Sequence, residues 1–122
     1  MLRVKRVALE SFGIEPFVTE DRMILRLSGT GDMVAVEPLK DCLDEARKDI
    51  ARLSFKSLEV DIRALYLLNS SCIKALVRFI FVVQQDGPKF GIRFLVDKNL
   101  TWQARALSAL TRMAPDLVTI AS

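Results

Sequence analysis

The 122-residue sequence contains no histidine, and this absence excludes several kinds of active site. A Ser-His-Asp triad, a histidine-ligated zinc ion and an imidazole general base all need that side chain. Cysteine is scarce as well, since Cys42 and Cys72 are the only two and fit no CxxC or zinc pattern. We therefore expect reduced thiols, no metal, no cofactor and no enzymatic activity.

Long apolar runs and basic clusters are also missing. The longest apolar runs, 64–68 and 79–83, are far shorter than the roughly 20 residues of a membrane span, and no signal-peptide stretch follows the basic start. The 18 basic residues exceed the 15 acidic ones by little and are scattered along the chain. These features predict a cytoplasmic protein that binds neither membranes nor nucleic acid.

The hydrophobic pattern predicts one folded domain of the α/β class. Hydrophobic residues form 51% of the chain and charged residues 27%, which is typical of a globular domain. The predicted elements are strands 15–19 and 23–28, helix 36–53, strand 58–62 leading into the run 64–68, helix 73–83 ending at Asp86-Gly87-Pro88, strand 90–96, a helix around 102–110 and a strand or tail at 117–120. Asn99 or Thr101 is predicted to cap the third helix, and Pro115 to end it.

Strand–helix–strand units with short connections build a mostly parallel sheet with right-handed crossovers. The predicted fold is therefore a mostly parallel sheet of four to five strands, with an antiparallel strand from the N-terminal hairpin and three to four helices.

Two polar clusters follow strands and precede helices, where open α/β sheets usually bind ligands and partners. The first, 28–32, has no Walker-type lysine, and the alternative is a glycine turn with Asp32 as a helix cap. The second, 69–72, begins with three N-cap residue types. It is either a simple cap or a site whose exposed hydroxyl accepts a phosphoryl group, adding about −1.5 to −2 charges.

Two stretches of the chain carry a resemblance to a known family. Residues 58–73 read Leu-Glu-Val-Asp-Ile-Arg-Ala-Leu-Tyr-Leu-Leu-Asn-Ser-Ser-Cys-Ile. They resemble the signature of the STAS domain, the fold of the anti-sigma factor antagonists, in which an apolar strand leads to Asp-Ser-Ser/Thr-Gly at the start of a helix. Residues 25–32, Leu-Arg-Leu-Ser-Gly-Thr-Gly-Asp, resemble the upstream family motif Leu-x-Gly-x-x-Asp. The resemblance implies a single STAS-like domain over 1–122, with a core at about 15–120.

The resemblance also implies a function. Family members bind an anti-sigma factor that is itself a serine kinase, or a larger stress-signalling scaffold. The kinase phosphorylates the first hydroxyl residue of the motif, here Ser70, which releases the partner, and a phosphatase resets the switch. Ser71 is then a helix cap or a weaker second phosphorylation site. The residues predicted to contact the partner are Thr30, Asp32, Asn69, Cys72 and Lys74.

The sequence departs from the family motif at two positions, because Asn69 replaces aspartate and Cys72 replaces glycine. Asparagine still caps a helix but removes a negative charge beside Ser70, and Cys72 is predicted to be a small buried residue. The alternative function is an unphosphorylated STAS scaffold or a small-ligand-binding signalling module. A Ser70–Lys74 enzyme would need a desolvated lysine, and this lysine is predicted to face solvent.

Overall fold

The computed structural model describes residues 2–87 and 90–122, so the predicted helix-ending Pro88 lies outside the described residues. Their elements in chain order are β1 (Val7–Ala8), β2 (Phe12–Val18), β3 (Arg22–Gly31), α1 (Val36–Leu53), β4 (Ser57–Leu68), α2 (Ser70–Gln85), β5 (Gly91–Leu95), α3 (Thr101–Met113) and β6 (Val118–Ala121), with a 3₁₀ turn at Met33–Ala35. In this part of the chain no helix is long and apolar enough to cross a membrane.

The strands that are described form one six-stranded sheet in the order β1-β2-β3-β4-β5-β6. The first three strands pair antiparallel, and β3 to β6 pair parallel, which confirms the predicted α/β class with its N-terminal hairpin. The sheet is wider than four or five strands because the two-residue β1 adds an edge and residues 118–121 pair with β5 as a true strand.

All three helices lie on the same face of the sheet. The strand order increases stepwise from β3 to β6, so three right-handed crossovers place α1, α2 and α3 on one side. The register on that side aligns Leu25 with Val60 and Val60 with Phe94, and these side chains are fully buried together with the apolar stripes of the helices. Burying such side chains contributes about 1.5–3 kcal/mol each, so this layer is the core.

The opposite face of β4 buries two carboxylates beneath arginine side chains. Glu59 and Asp61 are only 7% and 3% exposed. The Arg63 side chain donates two hydrogen bonds to Asp61, at 2.8 and 3.0 Å, its backbone N–H donates a third at 3.1 Å, and Arg26 donates a fourth at 3.3 Å. Arg22 contacts Glu59 at 3.4 Å. These ion pairs let a strand carry acidic residues on a face that no helix of the described chain covers.

Replacing Asp61 by asparagine is expected to lower the free energy of unfolding by about 1–2 kcal/mol at pH 7, since charge-assisted bonds to half-exposed arginines are lost. Hydrogen bonds from Arg63 hold the pKa of the Asp61 carboxyl below its usual value, although burial acts in the opposite direction. Its contribution is therefore complete above the unfolded pKa of about 3.9 and disappears as pH falls through the folded value. Urea unfolding at several pH values measures this, with the exposed Asp41→Asn variant as control. If Asp61→Asn remained less stable than wild type by the same amount well below pH 3, the ionised carboxylate could not be the source of the stability.

The predicted cap of α3 is wrong. Leu100 occupies the N-cap position without a side-chain hydrogen bond, and Thr101 is already the first helical residue. The Asn99 backbone N–H instead donates to Asp97 Oδ1 at 2.9 Å, so a turn closed by Asp97 precedes the helix. Pro115 follows the last helical residue, Met113, as predicted.

Candidate functional site

Two strand ends bring the two polar clusters together at one edge of the sheet. The carboxyl ends of β3 and β4 run side by side, with Gly31 paired to Leu68. The Asn69 backbone N–H donates to the Gly31 carbonyl oxygen at 2.8 Å, which ties the second cluster to the first. Parallel pairing therefore makes a single surface from residues far apart in sequence.

Ser70 is the first residue of α2 and is exposed, whereas Ser71 is partly buried. Asn69 precedes it in an extended conformation, and its side-chain oxygen accepts a hydrogen bond from the Cys72 backbone N–H at 2.8 Å. The prediction that Asn69 still caps the helix is confirmed, whereas the alternative that Ser71 is the cap is wrong, because Ser71 is already the second residue of α2. The Ser70 hydroxyl has no hydrogen-bond partner in the described part of the chain, so capping does not occupy it.

Replacing Asn69 by alanine is expected to cost about 1 kcal/mol, because the Cys72 N–H loses its acceptor at the start of α2. Asn69→Asp retains the acceptor and adds a negative charge at a helix N-terminus, so it is expected to be at least as stable as the wild type. Thermal unfolding of the two variants measures the difference. Equal melting temperatures for Asn69→Ala and wild type would show that the cap contributes nothing.

Cys72 lies beneath the surface that Ser70 occupies. Its side chain is fully buried, and Sγ donates to the Asp32 carbonyl oxygen at 3.5 Å. Burial, and to a lesser extent the Asp32 carboxylate, raises the pKa of this thiol. The prediction that Cys72 contacts a partner is therefore wrong, while its prediction as a small buried residue is confirmed. Gly31 lies beside the sulfur, and a Cβ there would lie 2.5 Å from Leu68 Cδ1, whereas its contact with Sγ, at 3.6 Å, would be an ordinary one.

The other predicted partner residues reach the same edge. Asp32 is exposed, and its Oδ1 accepts from the Val34 N–H at 3.2 Å, which confirms the alternative that it caps a helical turn. Thr30 is half-buried beside it. Lys74 is exposed and has no ion pair with any described residue, and it lies one turn after Ser70 on α2. The edge that carries Ser70 thus has one anion, Asp32 after β3, and one cation, Lys74 on the same helix as Ser70.

The sequence interpretation missed four exposed apolar side chains at the ends of β3 and β4, here called the apolar rim, which are Met33, Val34, Tyr66 and Leu67. These are the four most exposed of the large apolar side chains described, at 67%, 66%, 63% and 54%. The strand register places Leu67 beside Thr30, and Met33 and Val34 directly follow Asp32. Exposed apolar side chains gathered at one place mark interaction surfaces. For Tyr66 and Leu67 the sequence signal was the unbroken apolar run 64–68, because a strand with one buried face needs an apolar residue only at every second position.

Neither a metal site nor a desolvated base for Ser70 is found among the described residues. Across 2–87 and 90–122, no group of three Cys, Asp or Glu side chains is placed to hold a metal ion. The base that the sequence offers for Ser70, Lys74, is exposed and therefore hydrated rather than desolvated. What the edge presents is a free hydroxyl, a helix N-terminus, one carboxylate and the apolar rim.

Three solved structures share this architecture. An anti-sigma factor antagonist from Mycobacterium paratuberculosis is 20% identical, with 94% of this chain and 90% of the other covered and a TM-score of 0.71. An antisigma-factor antagonist STAS domain from Rhodobacter sphaeroides is 18% identical over 70% and 86%, with a TM-score of 0.52. The Bacillus cell fate determinant SpoIIAA in its phosphorylated form is 17% identical over 92% of each chain, with a TM-score of 0.58.

No protein-family model matches the sequence, and no curated protein is similar to it at the sequence level. At identities of 20% or less, the structural likeness establishes the architecture. The resemblance carried by residues 58–73 is therefore confirmed as a resemblance of fold, and the chain has the fold of the STAS domain.

Proposed function

We propose that this protein is a cytoplasmic regulatory module of the anti-sigma factor antagonist type, which docks on a partner serine kinase and is released when Ser70 is phosphorylated. The observation that carries the proposal is the exposed, unpartnered hydroxyl of Ser70 at the first position of α2, three residues after Leu67 of the apolar rim. The fold supports it, since solved anti-sigma factor antagonists share it and one of them was determined in a phosphorylated form.

The apolar rim supports docking on a protein. Four exposed apolar side chains give the surface a hydrophobic centre, and Asp32 and Lys74 give it one charge of each sign. Protein interfaces combine such an apolar centre with a polar margin. Burial of the rim would supply affinity, and the two charges would set the orientation of the partner.

The start of α2 supports phosphorylation, because it accommodates a phosphate without unfolding. Its first turn contains no acidic residue, so the positive end of the helix dipole is uncompensated. Lys74, four residues after Ser70, is free to pair with a phosphoryl group. Asn69 is neutral where the family motif has an acid, which removes one source of repulsion.

The chemistry of the switch is supplied by the partners. The kinase would transfer the terminal phosphoryl group of a nucleoside triphosphate to Ser70 Oγ, which loses its proton, with the diphosphate as leaving group. A phosphatase would hydrolyse the phosphoserine to serine and inorganic phosphate. The described residues offer Ser70 no desolvated base, so the hydroxyl acts as acceptor and not as catalyst.

Mass spectrometry of the protein recovered from its native cell tests the proposal. We expect a phosphate on Ser70, lost in Ser70→Ala and retained in Ser71→Ala, with a serine kinase co-purifying with the unphosphorylated form. If Ser70 carries no phosphate under any growth condition while partner capture persists, the unphosphorylated scaffold is the better description. If Ser71→Ala alone removes the phosphate, the acceptor has been assigned to the wrong serine.

A further inference from the structure

Strand β4 extends well beyond its neighbour β5. Their parallel pairing runs from Ser57 and Gly91 to Asp61 and Leu95 and then stops, while β4 continues to Leu68. From residue 62 onward only β3 flanks β4, and the β3–β4 register shifts twice in this stretch. The segment that leads to Ser70 therefore lacks a strand on one side, although its buried backbone groups still need partners.

Gln103, in the first turn of α3, takes the place of the missing strand. Its Nε2 donates to the carbonyl oxygens of Ile62, at 2.7 Å, and Leu65, at 3.1 Å. Its Oε1 accepts from the Asp97 backbone N–H at 2.9 Å. The side chain is 1% exposed, so water cannot readily replace these bonds.

Only a primary amide satisfies this site. The two carbonyls require two N–H donors on one atom, and the Asp97 N–H requires an acceptor at the same side-chain terminus. Glutamine provides both without a charge, whereas glutamate lacks the donors and methionine lacks donors and a strong acceptor. The amide thus joins three segments, which are the end of β4, the loop after β5, and α3.

We propose that Gln103 is a positioning residue for the Ser70 edge, holding the end of β4 in place and coupling it to the loop at Asp97. Leu65, one of its two acceptors, immediately precedes Tyr66 and Leu67 of the apolar rim. The link therefore fixes the strand from which the rim and Ser70 follow. The inference rests on the proposed function only in taking the Ser70 edge as the partner-binding surface. The hydrogen bonds of Gln103 do not depend on what binds there.

The two buried cysteines of the chain allow a selective test. Cys72 lies at the start of α2, four residues after the end of β4, while Cys42 lies on α1 and is also buried. Each thiol reacts with iodoacetamide only when its surroundings open, so labelling rates measure local opening at two places in one molecule. Peptide mass spectrometry of the labelled chain gives the two rates separately.

Gln103→Met is expected to speed labelling of Cys72 at least about tenfold relative to wild type, because two hydrogen bonds to β4 are lost, and to leave Cys42 nearly unchanged. Gln103→Glu, measured at pH 8, keeps the acceptor for Asp97 and is the second variant should the first fail to fold. Gln85→Glu, at an exposed glutamine at the end of α2, is the matched control and is expected to change neither rate.

Equal acceleration at Cys72 and Cys42, or none at either, would overturn the proposal, because Gln103 would then stabilise the whole fold or nothing in particular. The experiment uses the purified chain without a partner. Its failure would therefore leave the proposed phosphorylation of Ser70 standing, and an unmodified Ser70 in the cell would leave the positioning role of Gln103 untouched.

Discussion

The variant Ser70→Asp is expected to bind the partner kinase about a hundredfold more weakly than wild type and yet to be slightly more stable. Binding weakens because the added carboxylate must be desolvated among the apolar rim, with Asp32 nearby as a second negative charge. A hundredfold change corresponds to about 2.7 kcal/mol, within the range for an unpaired charge at an interface.

Stability moves in the opposite direction because the same carboxylate lies at the N-terminus of α2, where the first turn has no acidic residue. A gain of about 0.3–1 kcal/mol, or a few degrees in melting temperature, is expected. Titration calorimetry with the partner and thermal unfolding of the free chain give the two quantities. The neutral Ser70→Asn variant is the control and is expected to lose little affinity. Equal affinity of Ser70→Asp and wild type would end the switch model.

The helices with strong periodicity could be predicted closely from sequence. The apolar steps of three and four in residues 36–53 predict a helix, and α1 occupies Val36–Leu53. The alternation in 58–62 indicated β4, and the chain order of elements led to the parallel sheet. These signals are local, and burial of one face reinforces each of them. The short edge strand β1 carries no such pattern, since two residues have no period.

The site was predictable where it depends on local chemistry and not where it depends on packing. Asn69 as a cap and Ser70 at a helix start follow from residue type. The burial of Cys72 depends on how α2 is rotated against Asp32 and Gly31, which no spacing reveals. The apolar rim resembles core in sequence, because exposure is a property of the assembled sheet and not of residues 64–68 themselves.

The role of Gln103 also depends on packing and could not be predicted from the sequence. In sequence it is one polar residue in the first turn of a helix, next to a mispredicted cap. Its function arises because β5 ends before β4 does, which leaves two carbonyls that only a third element can reach. The missing strand beside the end of β4 therefore explains why this glutamine is buried.

Gly29→Ala is expected to have the largest effect on stability, about 3 kcal/mol or more. Gly29 has a φ of +86°, a conformation that costs an alanine about 1–2 kcal/mol. A Cβ at this position would also overlap the backbone carbonyl of Ser11, which accepts a hydrogen bond from the Thr30 N–H at 2.7 Å. Backbone cannot rotate away as a side chain can, so the strand itself must shift, at a further cost of about 1–3 kcal/mol.

Gly87→Ala separates these two contributions. Gly87 also has a positive φ, +75°, but a Cβ there would meet nothing within 4 Å, so only the conformational cost applies. Urea unfolding should therefore place Gly87→Ala about 1–2 kcal/mol below wild type and Gly29→Ala clearly lower. Because Gly29 leads to Gly31, whose carbonyl holds Asn69, the loss at Gly29 should also speed labelling of Cys72 more than of Cys42. Equal destabilisation by the two alanines would show that β3 and Ser11 separate freely, and that close packing does not hold the Ser70 edge.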